Sequence, residues 1–166
     1  MSDRRPVLKI NDERCRNSYS CVRVCPVNAI EVRPQKAHPS ILPDKCIGCG
    51  LCYVSCSPRA IEFRDSKEEV KMLLSSGRKT AALIEPSIAS EFDDITDYRK
   101  FVTMIRSLGF DYVHEVSFGV DLIAAHYAEL FSKAEGKYFI TANCPAIVKL
   151  IEKFHPELTP NLAPLV

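Results

Sequence analysis

The chain has 166 residues, enough for one domain or two small ones, and its 46% hydrophobic content supports real cores. The formal net charge of +1 hides an asymmetry: residues 1–65 carry 11 Lys+Arg against 7 Asp+Glu, net +4, and the remainder 11 against 14, net −3. No positively charged leader precedes an apolar run and no apolar segment reaches transmembrane length, so the sequence reads as a cytoplasmic chain without a membrane span.

In chain order, the first chemistry-bearing stretch is CRNSYSCVRVCP, residues 15–26, followed by CIGCGLCYVSCS, residues 46–57. The second is a full C-x2-C-x2-C-x3-C run: Cys46, Cys49, Cys52 and Cys56. At an offset of 31, Cys15 falls on Cys46, Cys21 on Cys52 and Cys25 on Cys56, while Ser18 falls on Cys49. NAIEVR, 28–33, likewise falls on RAIEFR, 59–64. The first 65 residues are therefore an internal repeat whose first copy has a serine in place of one cysteine. Two copies are too few for a solenoid and suit one small pseudo-symmetric domain.

The spacing is that of iron–sulfur ligation, in which one tight loop reaches three corners of a compact cluster. Structural zinc, which favours two separated pairs around one ion, and a disulfide framework are the alternatives; four cysteines within eleven residues, repeated, suit zinc poorly. Residues 7–65 resemble the bacterial two-cluster ferredoxins. Ser18 departs from that pattern, as does Ser57, which follows Cys56 where Pro26 follows Cys25. The resemblance implies an α+β ferredoxin-type two-cluster domain over residues 1–65, in which the last cysteine of each run serves the other cluster. A second cluster on Cys46, Cys49, Cys52 and Cys25 is then [4Fe-4S]. A first cluster on Cys15, Cys21 and Cys56, with Ser18 at the fourth place, is [3Fe-4S] or a labile [4Fe-4S]. Two clusters of charge about −2 would roughly offset the net +4, with Arg14, Arg16, Arg23 and Arg59 near the ligands, a better account of the basic excess than nucleic acid.

Residues 66–79 read as a connecting helix and linker, with Ser66 as N-cap, Glu69 three residues on and Gly77 as the stop. A regular alternation follows: strand 80–85, helix 95–109 with Phe101, Val102, Ile105 and Leu108 on one face, strand 111–116, helix 119–133 with Ile123, Tyr127, Leu130 and Phe131 inward, strand 137–142 and helix 145–154. This β-α-β-α-β-α pattern predicts an α/β domain with a small parallel sheet over residues 80–166. No glycine-rich nucleotide fingerprint is present, and His38, His114, His126 and His155 form no paired-ligand motif. Cys144 is placed after the last strand and before Pro145, with Asn143 as the helix cap. Ligands gather at the C-terminal ends of parallel strands, although a small buried cysteine is the plainer reading.

TANCPAIVKLIEKFHPEL, 141–158, resembles the first active-site motif of the iron-only, or [FeFe], hydrogenases, typically TSCCPxW followed by a helix. IEPSIASEF, 84–92, is similar to that family's APAVR-like loop. The resemblance covers residues 7–166. It implies that Cys144 matches the cysteine holding the four-iron part of the active-site cluster. Asn143 stands where the family has a proton-relaying cysteine, Glu85 where it has alanine, and Pro86 matches the loop proline. Asparagine cannot act as that relay. With NLAPLV reached before the family's remaining motifs, the chain resembles the opening portion of a hydrogenase, nearer the divergent sensory members than the fast catalytic ones. Three functions are expected in order: an electron-transfer module, not catalytic alone; a hydrogenase subunit or fragment completed by another chain; and a redox-sensing interaction protein. The partner is a redox protein or the missing hydrogenase catalytic portion.

Overall fold

The computed structural model describes residues 7–92 and 97–164. They form two compact units, one of residues 7–65 with 137–164, the other spanning 66–136.

The repeat dictates the first unit. Strand β1 (Leu8–Ile10), helix α1 (Ser20–Val24) and strand β2 (Ile30–Glu31) recur as β3 (Ser40–Ile41), α2 (Leu51–Val54) and β4 (Ile61–Phe63). Each antiparallel pair takes one strand from each copy: β1 with β4, Ile10 opposite Ile61, and β2 with β3, Ile30 opposite Ile41. The loops repeat to the dihedral. Positive φ occurs at Asn17 and Gly48, at Tyr19 and Gly50, and at Asn28 and Arg59, each pair 31 residues apart. Hydrogen bonds repeat as well: Asn11 N–H donates to Ala60 O, and Leu42 N–H to Ala29 O, both at 2.7 Å. Leu8, Ile30, Cys52 and Ile61 form one buried core, and Val27, Ala29 and Ile47 a second.

Helix α6 (Pro145–Phe154), in the position expected from sequence, belongs to this unit. Leu150 packs against the second core. The expected strand over 137–142 forms a single parallel bridge, Ile140 with Leu162, rather than a third strand of a parallel sheet. Residues 161–163 capture that segment: Ile140 N–H donates to Asn161 O and Ala163 N–H to Ile140 O, both at 2.8 Å, and the Asn161 side chain holds Tyr138 O. Composition marks a segment as extended but does not choose its partner.

In the second unit, α3 (Lys67–Leu74) starts at Ser66, whose side chain makes no cap bond, and Gly77 follows at φ 71°. Strand β5 (Ala81–Ile84) runs parallel to β6 (Tyr112–Glu115), Ala81 opposite Tyr112. Between them lies α4 (Tyr98–Ser107), capped by Asp97, whose carboxylate accepts from Arg99 N–H. Of the expected helix 95–109, residues 95 and 96 lie outside the described residues. Phe101, Val102 and Ile105 are half-buried, but Leu108 is exposed. Helix α5 (Val116–Ser132) follows β6 directly, with Ile123, Tyr127 and Leu130 half-buried and Phe131 exposed. The fold is mixed α/β with small sheets, one of them a parallel pair.

Candidate metal centre

All eight cysteines are free. Seven of them line two small cavities in the first unit. One, partly open to solvent, is lined by Cys25, Cys46, Cys49 and Cys52 together with Val27, Ile30 and Ile47. The other is lined by Cys15, Cys21, Cys56 and Ser18 with Arg16, Tyr19 and Pro58. Each thus gathers cysteines from both copies of the repeat, Cys25 crossing one way and Cys56 the other. The exchange follows from the pairing of the copies: Cys25 directly follows α1, Cys56 lies just beyond α2 after Ser55, and α1 lies against α2.

Local backbone prepares these sulfurs. Ala29 N–H donates to Cys25 Sγ and Ala60 N–H to Cys56 Sγ, both at 3.2 Å. The turns that aim them need positive φ at Asn28 and Arg59. Burial pushes the Cys52 thiol up to about 11, reinforced by the neighbouring Cys46 and Cys49, and raises Cys21. Metal binding at these two thiols therefore displaces a proton. Among the described residues, no three His, Cys, Asp or Glu side chains are grouped to hold one metal ion. The cysteines surround cavity-sized spaces instead, and an all-thiolate set around such a space suits an iron–sulfur core.

The arginines divide. Arg16 lines the Ser18 cavity. Arg14 is committed to Glu62 and to Arg59 O, and Arg23 reaches Ser20 Oγ at 3.4 Å. Ser18 is exposed where its counterpart Cys49 is also exposed. Cys144 lines neither cavity. It is exposed, which corrects the plain reading of a buried cysteine, and it occupies the N-cap of α6 that was expected for Asn143, because Pro145 takes the first helical position. Its carbonyl accepts from Ile147 and Val148 N–H. Sequence reasoning passed over Lys153, whose ammonium bonds Pro43 O and Cys46 O; no local signal links residues over 100 positions apart.

In the second unit, residues 84–92 form a short 3-10 turn, Pro86–Ser90, opened by Glu85, whose carboxylate accepts from Ser87. That contact holds the Glu85 carboxyl below its ordinary value. With Ile84, Phe101 and Glu115 it lines an open groove at the C-terminal ends of β5 and β6.

The chain matches two families: "Iron only hydrogenase large subunit, C-terminal domain" over residues 78–166, and "4Fe-4S dicluster domain" over residues 7–72. It is 26% identical to the cytosolic Fe-S cluster assembly factor NAR1 of Yarrowia lipolytica over 132 residues, 71% of this chain and 27% of that protein. It is 31% identical to iron hydrogenase 1 of Clostridium pasteurianum over 118 residues, 63% of this chain and 20% of that enzyme. An uncharacterized ferredoxin of Methanocaldococcus jannaschii is 38% identical over 66 residues, 40% of this chain and 37% of that protein. The chain thus spans about a fifth to a quarter of the lengths of the hydrogenase and the assembly factor.

Proposed function

The chain belongs to the iron-only hydrogenase large-subunit family, and on that premise we propose that it is an iron–sulfur electron-transfer module, receiving single electrons and passing them to a redox partner or to the catalytic portion of a hydrogenase. The observation that carries this reading is the pair of cavities, each lined by cysteines from both copies of the repeat. Cys46, Cys49, Cys52 and Cys25 would hold a [4Fe-4S] cluster; Cys15, Cys21 and Cys56, with Ser18 beside them, a [3Fe-4S] or labile [4Fe-4S] cluster. Bound there, such clusters supply reversible one-electron chemistry. The chain's own residues aim the thiolates, donate amide hydrogen bonds to Cys25 and Cys56, and surround the second site with apolar side chains that limit water.

On this reading residues 1–65 are a ferredoxin-type domain in the cytoplasm, 66–79 a connection, and 80–166 a hydrogenase-like portion in which Cys144 is available to a metal supplied together with further ligands. Among the described residues no helix is long and apolar enough to cross a membrane. A second reading, a part in iron–sulfur cluster assembly, is supported by the match to the assembly factor over 71% of this chain.

Anaerobic reconstitution tests the first reading. About seven to eight irons per chain are expected, with one set of paramagnetic signals lost in Cys49→Ala and another in Cys21→Ala. Binding of a single zinc, or iron content unaffected by both variants, would overturn it. Net transfer of intact cluster to an acceptor apoprotein, with no electron transfer to a redox dye, would favour assembly.

A further inference from the structure

Lys153 lies near the end of α6, and its ammonium donates to the carbonyl oxygens of Pro43 at 3.1 Å and Cys46 at 3.0 Å. These carbonyls belong to the turn that delivers Cys46, in which the Lys45 and Cys46 amides both donate to Leu42 O. Nearly one helical turn earlier Leu150 packs against the core of Val27, Ala29 and Ile47, the same core against which Cys25 and Cys46 pack. The lysine is therefore held by packing at its helix and by two acceptors at its tip. Cys46 and Cys25 both line the four-cysteine cavity.

We propose that Lys153 is a positioning residue for the second cluster, fixing the Cys46 turn and raising that cluster's reduction potential through its charge. This rests on the reading that Cys25, Cys46, Cys49 and Cys52 hold a [4Fe-4S] cluster. A four-thiolate cluster of that kind goes from a charge of about −2 to about −3 on reduction, and local charge is among the terms that set its potential. A fixed cation beside one ligand's backbone stabilises the more negative state. Lysine presents a compact point charge and three donors, so one side chain serves both carbonyls and the field. The side chain is solvent-exposed, so salt screens the effect in part.

The test is a redox titration of the reconstituted 166-residue chain, followed by electron paramagnetic resonance, for wild type and for Lys153→Met, Lys153→Gln and Lys153→Arg. Met and Gln are expected to shift the four-cysteine site to lower potential, Arg to stay near wild type, and the shift to shrink as salt is raised. The signal of the Ser18 site should not move. If Lys153→Met cannot retain iron at the second site, Lys153→Gln, which keeps a donor without the charge, decides. Unmoved potentials in Met and Gln, an Arg shift as large as that of Met, or equal shifts at both sites overturn the inference while leaving the cluster reading intact. Absence of any four-iron signal in wild type, or persistence of every wild-type signal in Cys49→Ala, overturns the cluster reading and the inference together.

Discussion

Tyr19 and Gly50 hold the same place in the two copies, at φ 56° and 81°, so the ligand loop requires a left-handed residue there whatever its side chain. For a residue with a Cβ that conformation costs about 1–2 kcal/mol. Gly50→Ala is expected to destabilise the first unit by about that amount through its backbone conformation, its new Cβ meeting Phe63 Cζ at an ordinary contact distance of 3.4 Å. The measurement is the denaturant midpoint of iron release. Ser18 makes a different demand. Its hydroxyl is largely protonated at neutral pH and is a poor ligand for an iron corner. Mildly oxidised wild type should show the signal of an oxidised three-iron cluster. Ser18→Cys should abolish it and add about one iron per chain; equal iron content in the two proteins, with no such signal in wild type made without oxygen, would defeat the labile-corner idea. Cys52 supplies a pH dependence. Its thiol is raised to about 11, so near neutrality the proton remains and iron must displace it. Iron uptake by the apoprotein should accordingly become more favourable as pH rises from neutral towards that value, read as sulfur-to-iron charge-transfer absorbance at a series of pH values.

The β5–β6 pair is tied at its start by Asp111, whose carboxylate accepts from Lys79 Nζ at 2.7 Å and from the amide of buried Thr80 at 2.8 Å. These bonds hold the Asp111 carboxyl below its ordinary value of 3.8. A lowered folded-state value means a contribution fully present above 3.8 and lost as pH falls through that lower value. Asp111→Asn should therefore weaken amide protection of Ala81–Ile84 at neutral pH and make that protection less sensitive to acid, checked by hydrogen exchange. Helices were legible in the sequence because their apolar spacing and stops are local: α6 begins at Pro145 as expected, and Gly77 and Gly109 both adopt positive φ. The pairing of 138–140 with 161–163 was not legible, because strand partner choice depends on which edge folding brings near. At the cysteine loops the repeat offset matched like positions, while the crossing of Cys25 and Cys56 was implied by the ferredoxin resemblance; in the structure each of these two lines the cavity that holds the other copy's cysteines. Lys153 was hidden for the opposite reason: it has no counterpart in the repeat and reaches the loop through packing.

At the scale of the molecule, chemistry is uneven along the chain. Seven cysteines and a net charge of +4 fall within the first 65 residues, while the rest carries −3 and a single cysteine, Cys144. The hydrogenase-family match begins at residue 78, and these residues span 20% of the Clostridium pasteurianum enzyme. In the family that the sequence resembles, the active-site cluster takes several cysteines from motifs spread along the catalytic domain. Here Cys144 is exposed and lines neither cysteine cavity, and the resemblance puts Asn143 at the place of the relay thiol. One thiolate cannot hold a four-iron unit, and an amide side chain cannot relay protons at neutral pH. The 166-residue polypeptide is therefore expected neither to evolve nor to consume hydrogen, while its dicluster portion still accepts electrons from a reduced dye. The check is gas evolution from the reduced dye after incubation with the hydrogenase maturation proteins, beside a Cys144→Ala control. Hydrogen above that control would mean that Cys144 works with ligands other than those identified, and would turn an electron-transfer module into a catalyst.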